Sequence, residues 1–372
     1  MRKDSLVNVI VLVASIVLVV FGFRSGMPSA PPAPLTPAGS APSDGTSTAV
    51  EMSTSTAVVS PADVRAVYLT AATVSIPSNV RAIIDLVKST RLNAVVINVK
   101  DGDGTYLGKG MQNVVDEFQK AGIYTIARVV VFQDNAMAKE HPEIALHDAS
   151  GGLWSNNGGG SYWVDPASSE AWNVNVAAAV GALKLGFNEV NFDYIRFPSG
   201  SIQTAVYPVY DGMSSMTGIM NSFFQYLTSH IRASYPRAVL SADLFAYSFV
   251  KNDGLGVGQQ VGDAAKYFNV ISPMIYPSLY TPGNFGFPNP AEEPYQVVLQ
   301  TLEDGKKFLP ATSTVIVRPW IQSFTMGTVY DPQMVGDEIR AIHDAGYGDT
   351  WMAWNPANSY DPTPFLSISS RP

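Results

Sequence analysis

The sequence contains no cysteine and only four histidines among its 372 residues. The absence of cysteine excludes disulfides, thiolate metal sites, a cysteine nucleophile and a lipid-modified N-terminal cysteine. The sequence also lacks the H-E-x-x-H motif of metalloproteases and the G-x-S-x-G motif of serine hydrolases. Residues 254–262 are rich in glycine, but their spacing differs from that of a dinucleotide-binding loop. We therefore predict that the protein uses no metal and no cofactor.

Charge is also scarce, since charged residues make up 15% of the chain and the net charge is −8. Binding to a phosphate backbone requires clustered Lys and Arg, and the sequence has no such cluster. We therefore expect no nucleic-acid partner. Aromatic residues, by contrast, make up 11% of the chain. This content is compatible with a large core and with ring faces that stack against sugars.

The N-terminal residues have the composition of a membrane anchor followed by a linker. Arg2 and Lys3 precede an apolar run over residues 6–23, which has about the minimum length that spans a bilayer. Residues 26–62 are rich in Pro, Ala, Ser and Thr and cannot bury enough apolar surface to fold. We predict a signal anchor or transmembrane helix over residues 1–25, with a cytoplasmic N-terminus, and a flexible linker over 26–62. The alternative is secretion after signal-peptide cleavage.

From residue 66 onward, β-branched runs alternate with helical segments, which predicts parallel βα units. The candidate strands cover residues 66–71, 93–101, 124–132, 188–198, 238–246, 269–277, 314–322 and 350–356. Candidate helices lie at 79–90, 112–121, within 211–235 and at 331–345. We predict a (β/α)8 TIM barrel over residues 63–372, with a doubly wound open sheet as the alternative fold.

Local signals support these helices. Asp165-Pro166 and Asp331-Pro332 resemble N-caps followed by proline at the first helical position. Gly122, Gly186 and Gly346 occupy positions typical of glycines that follow a helix. Two insertions, over residues 133–162 and 278–295, contain many Gly, Pro and Asn residues, and we expect them to shape a cleft at the carboxyl rim.

Polar residues stand near the ends of the candidate strands, and a barrel gathers such residues at one rim. Asp193 and Asp243, on consecutive strands, are the leading pair of carboxyl groups for glycosidic bond hydrolysis, which needs an acid and a nucleophile or base. Two close carboxylates repel, which raises the pKa of one so that it keeps a proton. The sequence leaves open which one is the acid and whether the anomeric configuration is retained or inverted.

Other side chains are predicted to bind the sugar. The predicted substrate-binding residues are Asp101, Arg128, Arg196, Tyr276, Arg318, Trp320, Gln322, Trp354 and Asn355. Structural alternatives stay open: Asp193 could form a structural salt bridge with Arg196 or Arg128, Asp101 fits a solvated turn, and the tryptophans could be core residues. Arg196 joins the site only if its strand ends before it, because alternate residues face opposite sides of a strand.

Four motifs in a fixed order resemble a known family: NFDYIRFP, SPMIYPSLY, VIVRPWIQ and WMAWNP. They resemble the bacterial putative glycosyl hydrolase domain family, first catalogued as a domain of unknown function, over approximately residues 65–356. Its FDY-x-RFP and PM-x-YPS motifs fall on Phe192, Asp193, Tyr194, Arg196, Phe197, Pro198, Pro273, Met274, Tyr276, Pro277 and Ser278. Relatives commonly have a histidine after that serine, where this chain has Leu279. The resemblance implies a TIM barrel related to glycoside hydrolases and carbohydrate cleavage.

The sequence therefore predicts a glycoside hydrolase that cleaves a polysaccharide outside the cytoplasm by a two-carboxylate mechanism. The expected partners are a polysaccharide or oligosaccharide and, through the N-terminal helix, the membrane. One alternative is a non-catalytic carbohydrate-binding barrel whose carboxylates lie too far apart for catalysis. A second alternative is an interaction scaffold of the cell envelope.

Overall fold

The computed structural model describes residues 64–155, 160–200 and 204–366. The predicted anchor over residues 1–25 and the predicted linker over residues 26–62 lie outside the described residues. Within the described part of the chain, no helix combines the length and the apolar character needed to cross a membrane.

The strands form a closed ring. They are β1 (Arg65–Leu69), β2 (Ala94–Asp101), β3 (Gly104–Thr105), β4 (Tyr124–Val130), β5 (Glu189–Asp193), β6 (Val239–Phe245), β7 (Val270–Ile275), β8 (Ile316–Val317), β9 (Trp320–Gln322) and β10 (Trp351–Trp354). Parallel pairing runs through β1, β2, β4, β5, β6, β7, β9 and β10 and returns to β1. This closure confirms the predicted barrel and excludes the open sheet.

One predicted strand is divided in two. Residues 314–322 form β8 and β9, both of which pair with β7. The break falls at Arg318 and Pro319, because proline has no N–H to donate and restricts the backbone. The antiparallel β3 pairs only with the end of β2. All eight predicted strand positions are occupied by strands.

Helices cover the outside of the ring. They are α1 (Ala71–Val74), α2 (Pro77–Ser89), α3 (Lys109–Lys120), α4 (Asn135–Glu140), α5 (Ser169–Lys184), α6 (Met216–Ser234), α7 (Val261–Tyr267), α8 (Pro294–Gly305) and α9 (Pro332–Ile342). The helices predicted near residues 79, 112, 211 and 331 are α2, α3, α6 and α9. Helices α7 and α8 were not predicted, because each begins beside a Gly- or Pro-rich segment that resembles a loop.

The capping predictions had mixed outcomes. Asp331 caps α9, since its Oδ1 accepts a hydrogen bond of 2.9 Å from Met334 N. Asp165 does not cap a helix, because α5 begins later and Ser168 is its N-cap. The buried Asp165 carboxylate instead accepts hydrogen bonds of 2.8 Å from the backbone N–H groups of Val209 and Tyr210. Asp165 thus connects two loops, and it is still not among the proposed catalytic residues.

Both faces of the barrel strands are buried, as expected for a parallel sheet covered by helices. On β2, Val95 and Ile97 belong to the apolar layer beneath the helices, whereas Ala94 and Val96 face the inside of the ring. Toward the carboxyl ends of the strands, the inward positions become polar: Asn98, Arg128, Asn191, Asp193, Ser241, Asp243 and Ser272. The fold therefore collects buried polar groups at the rim where active sites of TIM barrels lie.

Candidate active site

Asp193 and Asp243 lie at the same height on neighbouring strands. The register of β5 and β6 pairs Phe192 with Ala242, so the next residues, Asp193 and Asp243, stand opposite each other. Neighbouring strands are about 4.8 Å apart. Both side chains face the barrel interior, with residue exposures of 5% for Asp193 and 0% for Asp243. The barrel thus brings the two predicted carboxyl groups into one compartment.

Arg128, from β4, contacts both carboxyl groups. Its Nη2 donates a hydrogen bond to Asp193 Oδ2, and its Nε lies 4.0 Å from Asp243 Oδ2. Its Nη1 donates to Asn98 Oδ1 at 2.7 Å. Because one planar guanidinium touches both groups, their nearest oxygens are at most roughly 9 Å apart. This bound allows the separations of both retaining and inverting glycosidases, so the stereochemistry stays open.

The two carboxyl groups have different surroundings. Burial raises the pKa of Asp243 well above its ordinary value, and the negative charge of Asp193 raises it further. The Oδ1 atom of Asp243 accepts hydrogen bonds of 2.8 Å from Asn191 Nδ2 and from Trp320 Nε1. Burial therefore favours the protonated form of Asp243, whereas Asp193 pairs directly with the Arg128 cation.

Several buried polar atoms around the pair have no hydrogen-bond partner among the described residues. They are Arg128 Nε, Asn191 Oδ1, Asp243 Oδ2 and Ser272 Oγ. Ser272 stands opposite Asp243 in the register of β6 and β7. Buried polar groups in proteins are normally bonded, so such a group of atoms beside two carboxyls indicates a place for a polar ligand.

Aromatic rings hold the Arg128 guanidinium from the side. The rings of Tyr68 and Trp354 stack with centroids 3.9 Å apart, and the Arg128 Cζ lies 5.6 Å and 5.2 Å from them. Trp320 meets both rings edge-on. The structure therefore brings Trp354 to the carboxyl pair through Arg128, and its contact with the sugar stays a prediction. Tyr68 was missed, although its inward position on the first candidate strand was readable from alternation.

Trp320 and Tyr276 are also inside the ring, but both are buried. Trp320 is 1% exposed, and its indole serves as a hydrogen-bond donor to Asp243 rather than as an open platform. Tyr276 is 5% exposed and packs edge-on against Phe324, with ring centroids 5.8 Å apart. Burial raises the pKa of Tyr276, and the charges of Asp243 and Asp193 raise it further. Both predicted residues are thus electrostatic neighbours of the carboxyl pair.

Strand β5 ends at Asp193, which decides where Arg196 lies. Tyr194 has a φ of 54°, in the left-handed region that non-glycine residues rarely adopt. Its N–H donates a hydrogen bond of 2.6 Å to Asp193 Oδ1. Because the strand has ended, alternation no longer sends Arg196 to the outer face, and its guanidinium lies 4.3 Å from the ring centroid of Phe245. Such strain is typical of functional sites.

Arg318 is not brought to the carboxyl pair. Its Nη1 donates to both oxygens of Glu189, at 2.8 Å and 3.0 Å, and the two residues are 1% and 0% exposed. Glu189 is the first residue of β5, whereas Asp193 is the last. The Arg318–Glu189 ion pair therefore lies at the amino-terminal end of the barrel, away from the rim, and it fills the interior there.

The Gln322 side chain forms its hydrogen bonds with neighbouring protein groups. Its Oε1 accepts a hydrogen bond from Ser278 N at 3.0 Å, and its Nε2 donates to Ser278 Oγ at 2.8 Å. The Gln322 N–H donates to Oε2 of Glu338 at 3.1 Å, and Tyr330 donates its hydroxyl to Glu338 Oε1. Burial raises the pKa of Glu338 well above its ordinary value. Sequence reasoning missed Glu338, which shares the helical face of Val335 and is fully buried.

Asn355 and Asp101 stabilise turns at the rim. Asn355 Nδ2 donates to the carbonyl oxygens of Ser323 and Ser359, at 2.6 Å and 2.7 Å. Asp101 Oδ1 accepts from Asp103 N at 3.0 Å and from the Tyr106 hydroxyl at 2.9 Å. These contacts fit the turn alternative that the sequence left open for Asp101, and they use the Asn355 amide group within its own loop.

The closed ring of parallel strands and the buried carboxyl pair at its carboxyl rim define a TIM barrel of the glycoside hydrolase type. The family model described as "Putative glycosyl hydrolase domain" matches residues 66–360. The chain therefore belongs to this family, which confirms the resemblance found in the sequence. No protein of curated function matches the chain.

Two solved structures, both of enzymes, share the fold. An α-galactosidase from Thermus thermophilus, solved with stachyose, is 14% identical with a TM-score of 0.52, over 84% of this chain and 64% of that enzyme. An α-L-fucosidase from Paenibacillus thiaminolyticus is 11% identical with a TM-score of 0.52, over 82% and 48%. A hypothetical protein from Ruminiclostridium thermocellum is 28% identical with a TM-score of 0.43, over 51% and 98%. The chain spans less than two thirds of either enzyme.

Proposed function

We propose that the domain hydrolyses a glycosidic bond of a polysaccharide, with Asp243 as the general acid and Asp193 as the nucleophile or base. The observation that carries this proposal is the contact of one guanidinium with two carboxyl groups that lie opposite each other in register. Asp193 forms an ion pair with Arg128, while burial favours the protonated form of Asp243. An acid and a base of this kind are what glycosidic bond cleavage requires.

In the proposed reaction, Asp243 is the proton donor and Asp193 is the nucleophile or base. Asp243 transfers its proton to the glycosidic oxygen as the bond between that oxygen and the anomeric carbon breaks, and the leaving sugar departs as an alcohol. Asp193 either attacks the anomeric carbon or takes a proton from the attacking water. The Asp243 carboxylate left behind is stabilised by the donors Asn191 Nδ2 and Trp320 Nε1, which are already in place. Water supplies the hydroxyl of the product and restores the proton.

The test uses the full-length protein, purified in detergent, and a panel of plant, algal and bacterial polysaccharides. We expect reducing ends to appear with at least one polysaccharide, and Asp193→Asn and Asp243→Asn each to lose roughly a thousandfold or more of that rate. Asp263→Asn is the matched control, because Asp263 lies on α7 and pairs with Lys266 at the surface. Equal product release by the wild type and both site variants rejects the assignment.

A second candidate function is glycan binding without cleavage. The full burial of Asp243, at 0% exposure, favours it, because an acid must reach the glycosidic oxygen. In this case Asp243 and Arg128 serve only to shape the binding site. Glycan binding by the wild type without any release of reducing ends, over days of incubation, favours this candidate over hydrolysis.

We propose further that the domain acts outside the cytoplasm while tethered to the membrane by residues 1–25. The apolar run over residues 6–23 behind Arg2 and Lys3 supports this arrangement. Membrane fractionation of cells that express the full chain, with protease added to intact spheroplasts, tests it. We expect the protein in the membrane pellet and its domain accessible to the protease. A cytosolic, protected protein contradicts the proposal.

A further inference from the structure

Arg196 lies beside the carboxyl pair, within a group of aromatic rings. Its Cζ is 4.3 Å from the ring centroid of Phe245, 4.9 Å from that of Trp163 and 5.2 Å from that of Tyr194. Phe245 is two residues after Asp243 on β6 and therefore faces the same side, nearer the rim. Arg196 thus stands one side-chain layer above the pair, and it is 6% exposed.

Arg196 differs from the other buried cations in its charge pairing. Among the described residues, no carboxylate lies within ion-pair distance of it, and its Nη1 donates one hydrogen bond, to Phe197 O at 3.0 Å. The other buried cations of the described chain, Lys100, Arg128 and Arg318, each pair with a buried carboxylate. Arg196 is therefore the exception in a barrel that otherwise neutralises its buried positive charges.

The free-energy cost of burying the Arg196 guanidinium is high unless a ligand contributes a negative charge. Burial lowers the pKa of Arg196 to about 10, so the side chain remains charged at neutral pH. Asp193 is a more distant electrostatic neighbour, but its negative charge already pairs with Arg128. A buried charge without a partner is unfavourable, and ring faces offset only part of that cost. Arg196 and Arg128 therefore place two positive charges near the carboxyl pair, and Arg128 is the one that pairs with Asp193.

We propose that Arg196 binds a carboxylate group of the sugar, so that the substrate of this domain is an acidic polysaccharide that contains uronic acid. The inference rests on the proposed function and names the substrate class of the same site. A planar carboxylate matches the planar fork of a guanidinium, which can bind it through two parallel hydrogen bonds. The unpartnered Ser272 Oγ, which stands opposite Asp243 in register, suits a hydroxyl group of the same ligand.

The experiment measures binding rather than turnover. Full-length Asp243→Asn protein is the background, because an amide is a neutral substitute for the protonated carboxyl and leaves the Arg128–Asp193 pair intact. Polygalacturonate, alginate and hyaluronan fragments are titrated calorimetrically, each beside its carboxyl-reduced form, which differs only in lacking the negative charges. We expect at least one acidic fragment to bind at least about tenfold more tightly than its reduced form.

Two substitutions of Arg196 and one control separate recognition from folding. Arg196→Met removes the charge and should abolish the preference for the acidic form, whereas Arg196→Lys keeps the charge and should retain part of it. Arg340→Met is the matched control, because the Arg340 guanidinium also stacks on a ring, 4.7 Å from that of Tyr295, but on the outer helix α9. Circular dichroism confirms that each variant is folded. If Arg196→Met does not fold, the inference is judged by whether Arg196→Lys has a weaker preference for the acidic form than the wild type.

Each outcome decides the inference. It is overturned if no acidic fragment binds better than its reduced form, or if folded Arg196→Met keeps the preference. Arg196-dependent binding of dextran sulfate, without binding of any carboxylated fragment, overturns the assignment to carboxylate. If the wild type cleaves no polysaccharide but the Arg196-dependent preference is present, hydrolysis fails and this inference stands. If it cleaves only neutral glycans, hydrolysis stands and this inference fails.

Discussion

Trp320 donates its indole N–H to Asp243 across 2.8 Å, linking β9 to β6 through the barrel interior. The donor points at an oxygen of the carboxyl group that gives up a proton in the proposed reaction. A hydrogen bond to the charged form stabilises that form and therefore lowers the pKa of Asp243, opposing the effect of burial. The strength of Asp243 as an acid thus depends on a side chain from two strands away around the ring.

Replacement of this donor gives the first prediction. Trp320→Phe should raise the pKa of Asp243, so the alkaline limb of the kcat/KM profile, which reports the protonated acid, should move to higher pH. The maximal rate should fall about tenfold, because the carboxylate formed on proton transfer loses one donor. Trp351→Phe is the control, since its indole donates to Asp349 outside the ring. An unshifted alkaline limb in Trp320→Phe contradicts the prediction.

The shared cation gives the second prediction. Arg128→Met should abolish cleavage and lower the free energy of unfolding at pH 7 by about 3–5 kcal/mol, because it leaves the Asp193 carboxylate buried without its partner. Arg128→Lys keeps the charge but not the fork that touches both carboxyls, so it should recover stability more than activity. Urea unfolding and reducing-end assays measure the two quantities. Full activity in Arg128→Lys argues against the bridging role.

Stability should depend on pH through Glu338. Burial raises the folded-state pKa of Glu338, so the folded state holds the proton more tightly than the unfolded state. Its contribution is therefore complete in acid and is lost as the pH rises from the ordinary Glu range toward the folded pKa. In that window Glu338→Gln should gain about 1.4 kcal/mol per pH unit relative to the wild type. Urea unfolding at several pH values between 5 and 8 measures this difference.

The matched variant for Glu338 is Glu303→Gln, which removes a surface carboxylate paired with Lys306. It should leave the pH dependence of unfolding close to that of the wild type, because exposed pairs contribute little. Asp243→Asn should flatten the dependence in the same sense as Glu338→Gln, since the pKa of Asp243 is also raised. Parallel curves for the wild type and Glu338→Gln across the whole range argue against a raised pKa.

The Arg318–Glu189 pair should matter for stability and not for the substrate. Arg318→Met leaves Glu189 buried and uncompensated, so the free energy of unfolding should fall by about 3–5 kcal/mol. The kcat/KM of the folded fraction should stay within about twofold of the wild type, because the pair lies at the opposite end of the ring from the carboxyls. A stable variant with a raised KM indicates that Arg318 contacts the sugar after all.

Much of the fold and part of the site are readable from local patterns. Runs such as residues 93–101 and 124–132 are apolar on both faces, which is typical of strands buried on both sides. The pairing of Asp193 with Asp243 follows from their positions in consecutive strands. By contrast, α8 begins with Pro294 after a Pro-rich insertion, and only its packing against the barrel identifies it as a helix.

The sequence by itself determined the alternation of strands and helices, the family and the two carboxyl residues, because these depend on residue types at short, regular spacing. Tertiary structure decided the depth of each side chain along the barrel axis and its partners. It placed Arg318 beside Glu189, brought Arg128 into contact with both carboxyls and surrounded Arg196 with rings, with no ion-pair partner in the described part of the chain. Burial and charge pairing arise between residues far apart in the chain, so only ring closure defines them.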